Sequence, residues 1–518
     1  MNKQHPLIVF SPSGMRGRVA KGTTVLEAAR QLGVDLDSVC GGRGICSRCQ
    51  ILPSFGSFPK LGIKVSADSI SEWNKVEERY DRVRGLKPGR RLGCQARICG
   101  DLAVDVPPES QVHRQVVRKS ADRRPVTMDP AVHLYFVEVS QPDMDLPGGD
   151  YQRLQTALEE QWGIKNVQLS LQVLSRLQGT LKQGDWKITL AIHQDHTGFA
   201  PRVVEIWPGF FGGPLYGLAI DVGSTTVAAQ LCNLADGAIA ASSGIMNPQI
   251  RFGEDLMSRV SYSMLNQSGA ADMTSAVRIA VCGLIQSLAA TIAADERQIV
   301  EVVFVCNPIM HHLLLGIDPV ELGQAPFALA TDASVQTTAR DLELVVLGND
   351  VPVHLLPCIA GHVGADAASV ILSEQPHKSE DLVLLVDVGT NAEIVLGDKT
   401  RVLACSSPTG PAFEGAQISA GQRASPGAIE RVEVCKESLE PKFKVVGCDL
   451  WSNEDGFADA TAQTGITGIC GSGIIEAIAE LRMAGVIDKS GLIGAATAGN
   501  ESRLIRDGRT NAYVLHRS

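Results

Sequence analysis

The chain has 518 residues, 44% of them hydrophobic and 20% charged, the balance of a globular protein large enough to bury several cores. Its formal net charge of −10 argues against a general nucleic-acid binder, and no apolar run approaches the roughly 18 residues expected of a membrane helix. The N-terminal MNKQHPLIVFSPSG has no apolar signal core with a small-residue cleavage site, so the expected compartment is the cytoplasm, where 13 cysteines point to metal or buried thiols before disulfides.

Residues 1–106 read as a small β-rich module. LIVF (7–10) and the segment around Arg16 to Val19 suit a hairpin with SPSG as its turn. Thr23 or Thr24 is placed to cap a helix over VLEAARQLGV, which has the helical apolar period and stops at Gly33. The next stretch, Cys40-Gly-Gly-Arg-Gly-Ile-Cys46-Ser-Arg-Cys49, is answered by a distant Arg91-Leu-Gly-Cys94-Gln. Three cysteines on one glycine-rich loop plus a remote fourth suit a [2Fe–2S] cluster, because four thiolates must converge on two irons and glycines let the loop wrap closely. Structural zinc is the alternative, yet zinc usually draws on paired C-x₂-C knuckles and only one is present. The spacing resembles that of 2Fe-2S ferredoxins of the adrenodoxin type. Cys99 is an alternative fourth ligand, with the RLGCQ context favouring Cys94 by that resemblance. WNKVEERYDRVRG (73–85) reads as a solvated helix and LAVDVPP as a closing strand. The other eight cysteines have no ligand spacing and are expected to be small buried side chains.

Residues 107–126, charged and bounded by proline, read as a linker. Residues 127–207 form a second small unit of mixed strands and helices: HLYFVEV alternates as a strand, YQRLQTALEEQWG is helical, and KITLAIH is a further strand. His193 and His196 have no clustered companions and read as surface residues.

From 208 to 518 one pattern occurs twice. LAIDVGSTT (218–226) and LLVDVGTNAE (384–393) are each a buried strand ending in Asp, then a glycine turn, then hydroxyl or amide side chains. Gly223, Ser224, Thr225 and Thr226, and in the second copy Gly389, Thr390 and Asn391, offer donors to phosphate oxygens. Asp221 and Asp387 suit a hard cation such as Mg²⁺, reached through its bound waters. Two copies suggest two half-domains closing on one nucleotide, with the second lobe over 379–518. Between them, Asn247-Pro-Gln249 and Arg251-Phe-Gly-Glu-Asp255 precede a helix near Leu256, and Glu254 and Asp255 suit its N-terminal dipole. His311 and His312 are adjacent and make poor joint ligands. Asp366 opens a helix and is read as a helix N-terminal residue before an active-site carboxylate. The loop 406–430 is a candidate ligand or partner surface, with Glu414 as its most notable side chain. Gly471, Ser472 and Gly473 run from a glycine turn into a helix start, a ready anion site.

The paired motifs resemble those of the actin, sugar-kinase and heat-shock-ATPase superfamily (ASKHA). Together with the cysteine module, the segments NPQIRFGEDL, HLLLGIDP, GPAFEGA, GAIE and GICGSGIIEA resemble the reductive activators of corrinoid proteins. That resemblance implies a multidomain α/β chain: a β-grasp 2Fe-2S domain, a linker, an α+β middle domain and an actin-like ATPase region. It implies Cys40, Cys46, Cys49 and Cys94 as cluster ligands, Asp221 and Asp387 at the catalytic centre, and ATP with Mg²⁺ as cofactors. The implied partner is a corrinoid protein of a methyltransferase system whose cobalt has slipped from Co(I) to Co(II). A homodimer and an external electron donor are implied as well. The family continues past GICGSG to a LAGAFG-like segment that helps hold adenosine, and none follows here; the expectation is a fragment or a shortened member with an incomplete nucleotide site. Three other readings remain open: a small-molecule kinase with a redox domain, a ferredoxin whose degenerate ATPase part only docks a partner, and an activator of 2-hydroxyacyl-CoA dehydratases. The four-cysteine module argues against the last.

Overall fold

A computed structural model of the chain describes residues 5–11, 15–34, 36, 38, 42–44, 48–58, 63–107, 110, 127–145, 147–194, 200–253, 255–389, 391–409, 420–422, 424, 426–462, 464–494, 503–507 and 510–517. β1 (Leu7–Ser11) pairs with β2 (Arg16–Arg18), and α1 (Val25–Gln31) follows, capped by Thr24, whose hydroxyl accepts from Glu27 N at 3.2 Å. Then come β3 (Gln50–Ser54), the hairpin β4 (Gly56–Phe58) and β5 (Ile63–Val65), α2 (Lys75–Arg84), β6 (Arg91–Leu92) and β7 (Leu102–Asp105). The sheet runs β2-β1-β7-β3-β6, with β1 and β7 parallel. α1 buries Val25, Leu26, Ala28 and Ala29 in the core of this ferredoxin-like β-grasp.

β8 (Val132–Glu138), α3 (Asp150–Trp162), α4 (Leu171–Gln183), β9 (Lys187–His193) and β10 (Arg202–Pro208) form the middle unit. Its antiparallel sheet, ordered β10-β9-β8, carries both helices on one face. Leu154 and Leu158, and Val173, Leu177 and Leu181, supply the helical apolar stripes that meet Ile188, Leu190 and Ile192. The alternate residues Ala191, Val204 and Trp207 point the other way, into the core of the following lobe. Buried Glu205 fastens that junction, 2.9 Å from both Arg176 of the middle unit and Arg297 of the lobe.

The first lobe is a six-stranded sheet, β13-β12-β11-β14-β16-β15. It comprises β11 (Tyr216–Val222), β12 (Thr226–Asn233), β13 (Ile239–Met246), β14 (Ile299–Cys306), β15 (Val335–Thr338) and β16 (Pro352–Leu355). β11 is antiparallel to β12 and parallel to β14. Around it lie α5 (Leu256–Leu265), α6 (Gly269–Thr291), α7 (Pro308–Leu315) and α8 (Ala365–Glu374). α6 corrects one expectation: it is long and apolar enough by composition to cross a membrane. It is a core helix, with Met273, Val277, Val281, Leu284, Ile285 and Leu288 buried on one side and Ile279 72% exposed on the other.

The second lobe is less continuous. β17 (Val383–Val388), β18 (Asn391–Gly397) and β19 (Val402–Pro408) form one antiparallel sheet with β17 at its edge. β20 (Ala428–Val434), β21 (Pro441–Val445) and β22 (Gly468–Ile469) form another, backed by α9 (Phe457–Thr461) and α10 (Gly471–Met483). β23 (Leu504–Asp507) and β24 (Thr510–Tyr513) make a final hairpin.

Candidate functional site

Both copies of the Asp-Val-Gly motif face one cavity of about 370 Å³. Its lining includes Asp221, Gly223, Ser224, Thr225 and Thr226 from the first copy and Asp387, Gly389 and Asn391 from the second. Thr390 lies outside the described residues.

The first loop is braced from behind. Gly223 N donates to Thr226 O at 2.9 Å, closing the turn, and a Cβ on Gly223 would sit 3.0 Å from that oxygen. Asn247 Nδ2 donates to Gly223 O at 2.8 Å and Asn307 Nδ2 to Ser224 Oγ at 2.8 Å. Arg259 on α5 donates to Ser224 O, and through Nε to Gly253 O at 2.9 Å. That guanidinium is fully buried, and burial pushes it down to about 9 against the opposing pull of Asp255. Asp255 itself caps α5, accepting from Ser258 N at 2.7 Å; Glu254 lies outside the described residues. Among the described residues the second loop is held by fewer bonds: Gly389 N donates to Asn391 O at 2.9 Å and Thr409 Oγ1 to Gly389 O at 2.6 Å.

Two further carboxylates enter the cavity. Asp366 lies in the first turn of α8, as its segment suggests, and it lines the cavity as well. Burial, then the charges of Asp221 and Asp387, push its carboxyl up to about 6. Glu393 stands opposite Asp387 in the β17–β18 pair and accepts from Ser406 Oγ at 3.1 Å. Burial, then Asp366, push it up to about 7, with Asp387 adding to the rise. Asn307 was likewise missed. Glu393 had one signal in the sequence, since strand alternation puts it on the face of Asn391. Two carboxyls that hold their protons more tightly, beside the carboxylates of Asp221 and Asp387, mark a place that favours a cation. Among the described residues no three Cys, His, Asp or Glu are close enough to hold an ion directly, so a cation here would be reached through water.

Gly471, Ser472 and Gly473 are not in this cavity. They start α10, which packs on β20; a Cβ on Gly473 would lie 2.4 Å from Ile429 O. Close helix–strand packing is reason enough for that glycine. Glu414 lies outside the described residues. His311 and His312 are both buried in α7, and burial lowers His311 to about 4. Cys405 and Cys435 are exposed, against the expectation of buried thiols. A larger cavity of about 520 Å³, between the middle unit and the first lobe, holds His193, His354 and Glu301 but neither glycine loop.

In the β-grasp module, Cys49 and Cys94 are buried at 1% and 8% exposure, and Cys40 and Cys46 lie outside the described residues. Gly93 N donates to Cys49 O at 2.7 Å, tying the two described cysteines together. Gln95 Nε2 donates to Gly42 O at 2.9 Å and to Cys94 Sγ at 3.5 Å. Burial pulls the Arg30 guanidinium down, the charges of Tyr262, Cys49, Glu27 and Cys94 oppose that fall, and its Nε and Nη2 have no hydrogen-bond partner among the described residues. An anionic cluster would supply the missing counter-charge, so these residues fit one. Half-exposed Cys99 instead turns its thiol to Arg97 O at 3.7 Å. The module also touches the ATPase part. Arg48 Nη2 donates to Gly421 O at 3.1 Å, and the Arg30 guanidinium lies 5.7 Å from the Tyr262 ring centre on α5.

Fold and site define the class: an ASKHA-type nucleotide-binding region joined to a 2Fe-2S ferredoxin-like module. Three consecutive family models match the chain, the RACo linker region at 121–213, the RACo middle region at 216–379 and the C-terminal domain of RACo, its ASKHA domain, at 381–518. The chain belongs to the RACo family. It is 25% identical to the corrinoid activation enzyme RamQ of Eubacterium limosum over 91% of this chain and 70% of that protein. A [Co(II) methylated amine-specific corrinoid protein] reductase of Methanosarcina barkeri is 25% identical over 53% of this chain and 52% of its own length. The 2Fe-2S ferredoxin of Escherichia coli K12 is 30% identical over 18% of this chain and 79% of itself. The solved structure of a reductive activator for corrinoid,iron-sulfur protein superposes with a TM-score of 0.64 at 28% identity, covering 98% of this chain and 77% of that one.

Proposed function

We propose that this protein is an ATP-dependent reductive activator that returns a Co(II) corrinoid protein to Co(I), with electrons passing through a 2Fe-2S cluster in its β-grasp module. The observation that carries the reading is the meeting of two Asp-Val-Gly loops and four carboxylates on one cavity, in a chain that also buries Cys49 and Cys94 near Arg30, whose Nε and Nη2 have no hydrogen-bond partner among the described residues. The relatives named above, which act on corrinoid proteins, support the choice of partner.

When bound, the cluster supplies one electron at a time and MgATP supplies the free energy that the low-potential cobalt couple demands. Cys40, Cys46, Cys49 and Cys94 hold the cluster, and Gln95 donates to the Cys94 sulfur. Residues 223–226 and 389–391 would hold the phosphates, and Asp221 and Asp387 would hold Mg²⁺, which would offset the charge of the phosphates. Arg259, bonded to Ser224 O and seated one helical turn before Tyr262, joins the phosphate loop to the helix that meets Arg30. A ligand shifts such an equilibrium only by its differential affinity for the two states, so the lobes must grip the nucleotide differently before and after transfer. On the same reading the corrinoid protein serves a methyltransferase, and the activator works in the cytoplasm as a homodimer fed by an external electron donor.

Anaerobic absorption spectroscopy tests this. A Co(II) corrinoid protein mixed with this protein and a reductant should develop the Co(I) band only when MgATP is added. Cobalt reduction that ignores MgATP, with the 2Fe-2S spectrum intact, would reduce the protein to an electron carrier.

A further inference from the structure

We propose that the groove along α2 is the docking surface for the electron donor, and that this donor is an acidic protein carrying a one-electron centre. The inference rests on the reading of the β-grasp module as the cluster carrier. A cavity of about 510 Å³ opens between α2 and the cysteine loop, and all of its described lining comes from this module. Four cations, Arg43, Lys75, Arg79 and Arg84, line it, and among the described residues no carboxylate does. That contrasts with a chain whose formal net charge is −10.

α2 carries three acidic residues, and they are sorted away from the groove. Glu77 is fully buried and locked by Arg91 at 2.9 and 2.7 Å. Asp81 accepts from Leu86 N at 2.8 Å beyond the helix end, and Glu78 is not in the lining. Within the basic rim lie Val76 and Val83, 38% and 71% exposed. An apolar centre inside a ring of one charge is the make-up of a small, fast-exchanging interface that steers an oppositely charged partner.

The groove is also wired to the cysteines. A Cβ on Gly44, in the loop between Cys40 and Cys46, would lie 2.5 Å from Val76 Cγ1, so α2 rests directly on that loop. Asn74 caps α2, accepting from Val76 N at 2.9 Å, and donates to Gln95 Oε1 at 3.1 Å. Gln95 in turn donates to Cys94 Sγ. A donor seated here is therefore two side chains from a cluster ligand. Arg30 and Arg48 of the same module contact the ATPase part, where nucleotide must govern transfer to cobalt, whereas among the described residues this groove touches none of it. Electron entry belongs on the side that ATP does not control. The step moves one electron: the donor's centre is oxidised by one, the module's oxidised cluster is reduced by one, and no bond or proton changes.

The test compares wild type with Lys75→Glu/Arg79→Glu, two exposed helix positions, using a reduced acidic plant-type ferredoxin as the probe donor. Stopped-flow bleaching of the oxidised cluster should slow about tenfold or more at low salt in the variant and lose its salt dependence. Binding of gallium-substituted ferredoxin, which transfers no electron, should weaken by a similar factor in calorimetry. Reduction by a neutral photoreduced deazaflavin should be unchanged, as should ATP-driven cobalt reduction by protein whose cluster is already reduced. Lys75→Gln/Arg79→Gln should fall between. Equal ferredoxin rates and affinities would make the groove a solvated face and overturn the proposal. A variant slow only in cobalt reduction would overturn it too, by giving the groove to the acceptor. A wild-type protein that binds no cluster would instead sink the reading beneath it.

Discussion

β11 and β17 carry the same motif in opposite surroundings. β11 is flanked by strands on both sides and buries Leu218, Ile220 and Val222 to within 2% of full burial. β17 is an edge strand on which Leu384, Val386 and Val388 are 61%, 51% and 53% exposed. Among the described residues the first loop is held by Asn247, Asn307 and Arg259, and the second by its own hairpin and Thr409. One half of the cleft is thus built into a core while the other hangs from a hairpin. Chemistry needs both equally; stability does not.

The largest effect should be chemical and even-handed. Asp221→Asn and Asp387→Asn should each cut ATP-driven Co(I) formation by about a hundredfold or more while leaving the cluster's absorbance intact. A mild defect for either one would break the symmetry of the site. Stability should then divide the lobes. Ile220→Ala is expected to cost about 2–4 kcal/mol in denaturant unfolding, whereas Val386→Ala, on a half-exposed edge, should cost less than about 1 kcal/mol. Similar losses would mean that β17 is covered in solution. Arg259→Met strips two backbone carbonyls of their donor and should cost about 1–3 kcal/mol, with weaker ATP dependence as the sign that the first loop has slackened.

The smallest effect is in pH. Asp366 and Glu393 hold their protons more tightly in the folded protein, with values of about 6 and about 7 against ordinary values of 3.8 and 4.5. They therefore add stability below those ordinary values that is lost as pH rises through about 6 and about 7. Without divalent cations, Tm should drop by about 2–4 °C between pH 5 and pH 8 on their account. Mg²⁺ should recover part of the drop, and Glu393→Gln should flatten it. A Tm indifferent to Mg²⁺ at pH 8 would argue against a cation at this cleft.

Local chemistry was legible in the sequence wherever one segment suffices. Thr24 is a helix cap that could be read from its neighbours, Asp255 leads the helix whose start it marks, and the two Asp-Val-Gly strands announced themselves by repetition. Convergence was not legible. Asp366 satisfies a helix dipole as well as it lines a cleft, so nothing within its own segment separates the two roles. Gly471 and Gly473 show the converse, because a glycine run before a helix serves packing against β20 as readily as an anion. Arg259 hides among helix residues, and only the fold brings it under Ser224.

The junction at Glu205 has a mechanical corollary. The middle sheet lends Val132, Ala191, Val204 and Trp207 to the core of the first lobe, and the clamp of Arg176 and Arg297 closes over them. The shared core ties these two units into a single chassis, even though a cavity of about 520 Å³ lies between them. The parts left to move are the hairpin lobe and the cysteine module, which among the described residues touch each other through Arg48 and Gly421 O, with Arg30 of the module over Tyr262 of the chassis. Any stroke driven by nucleotide would then swing those two attachments against a fixed frame.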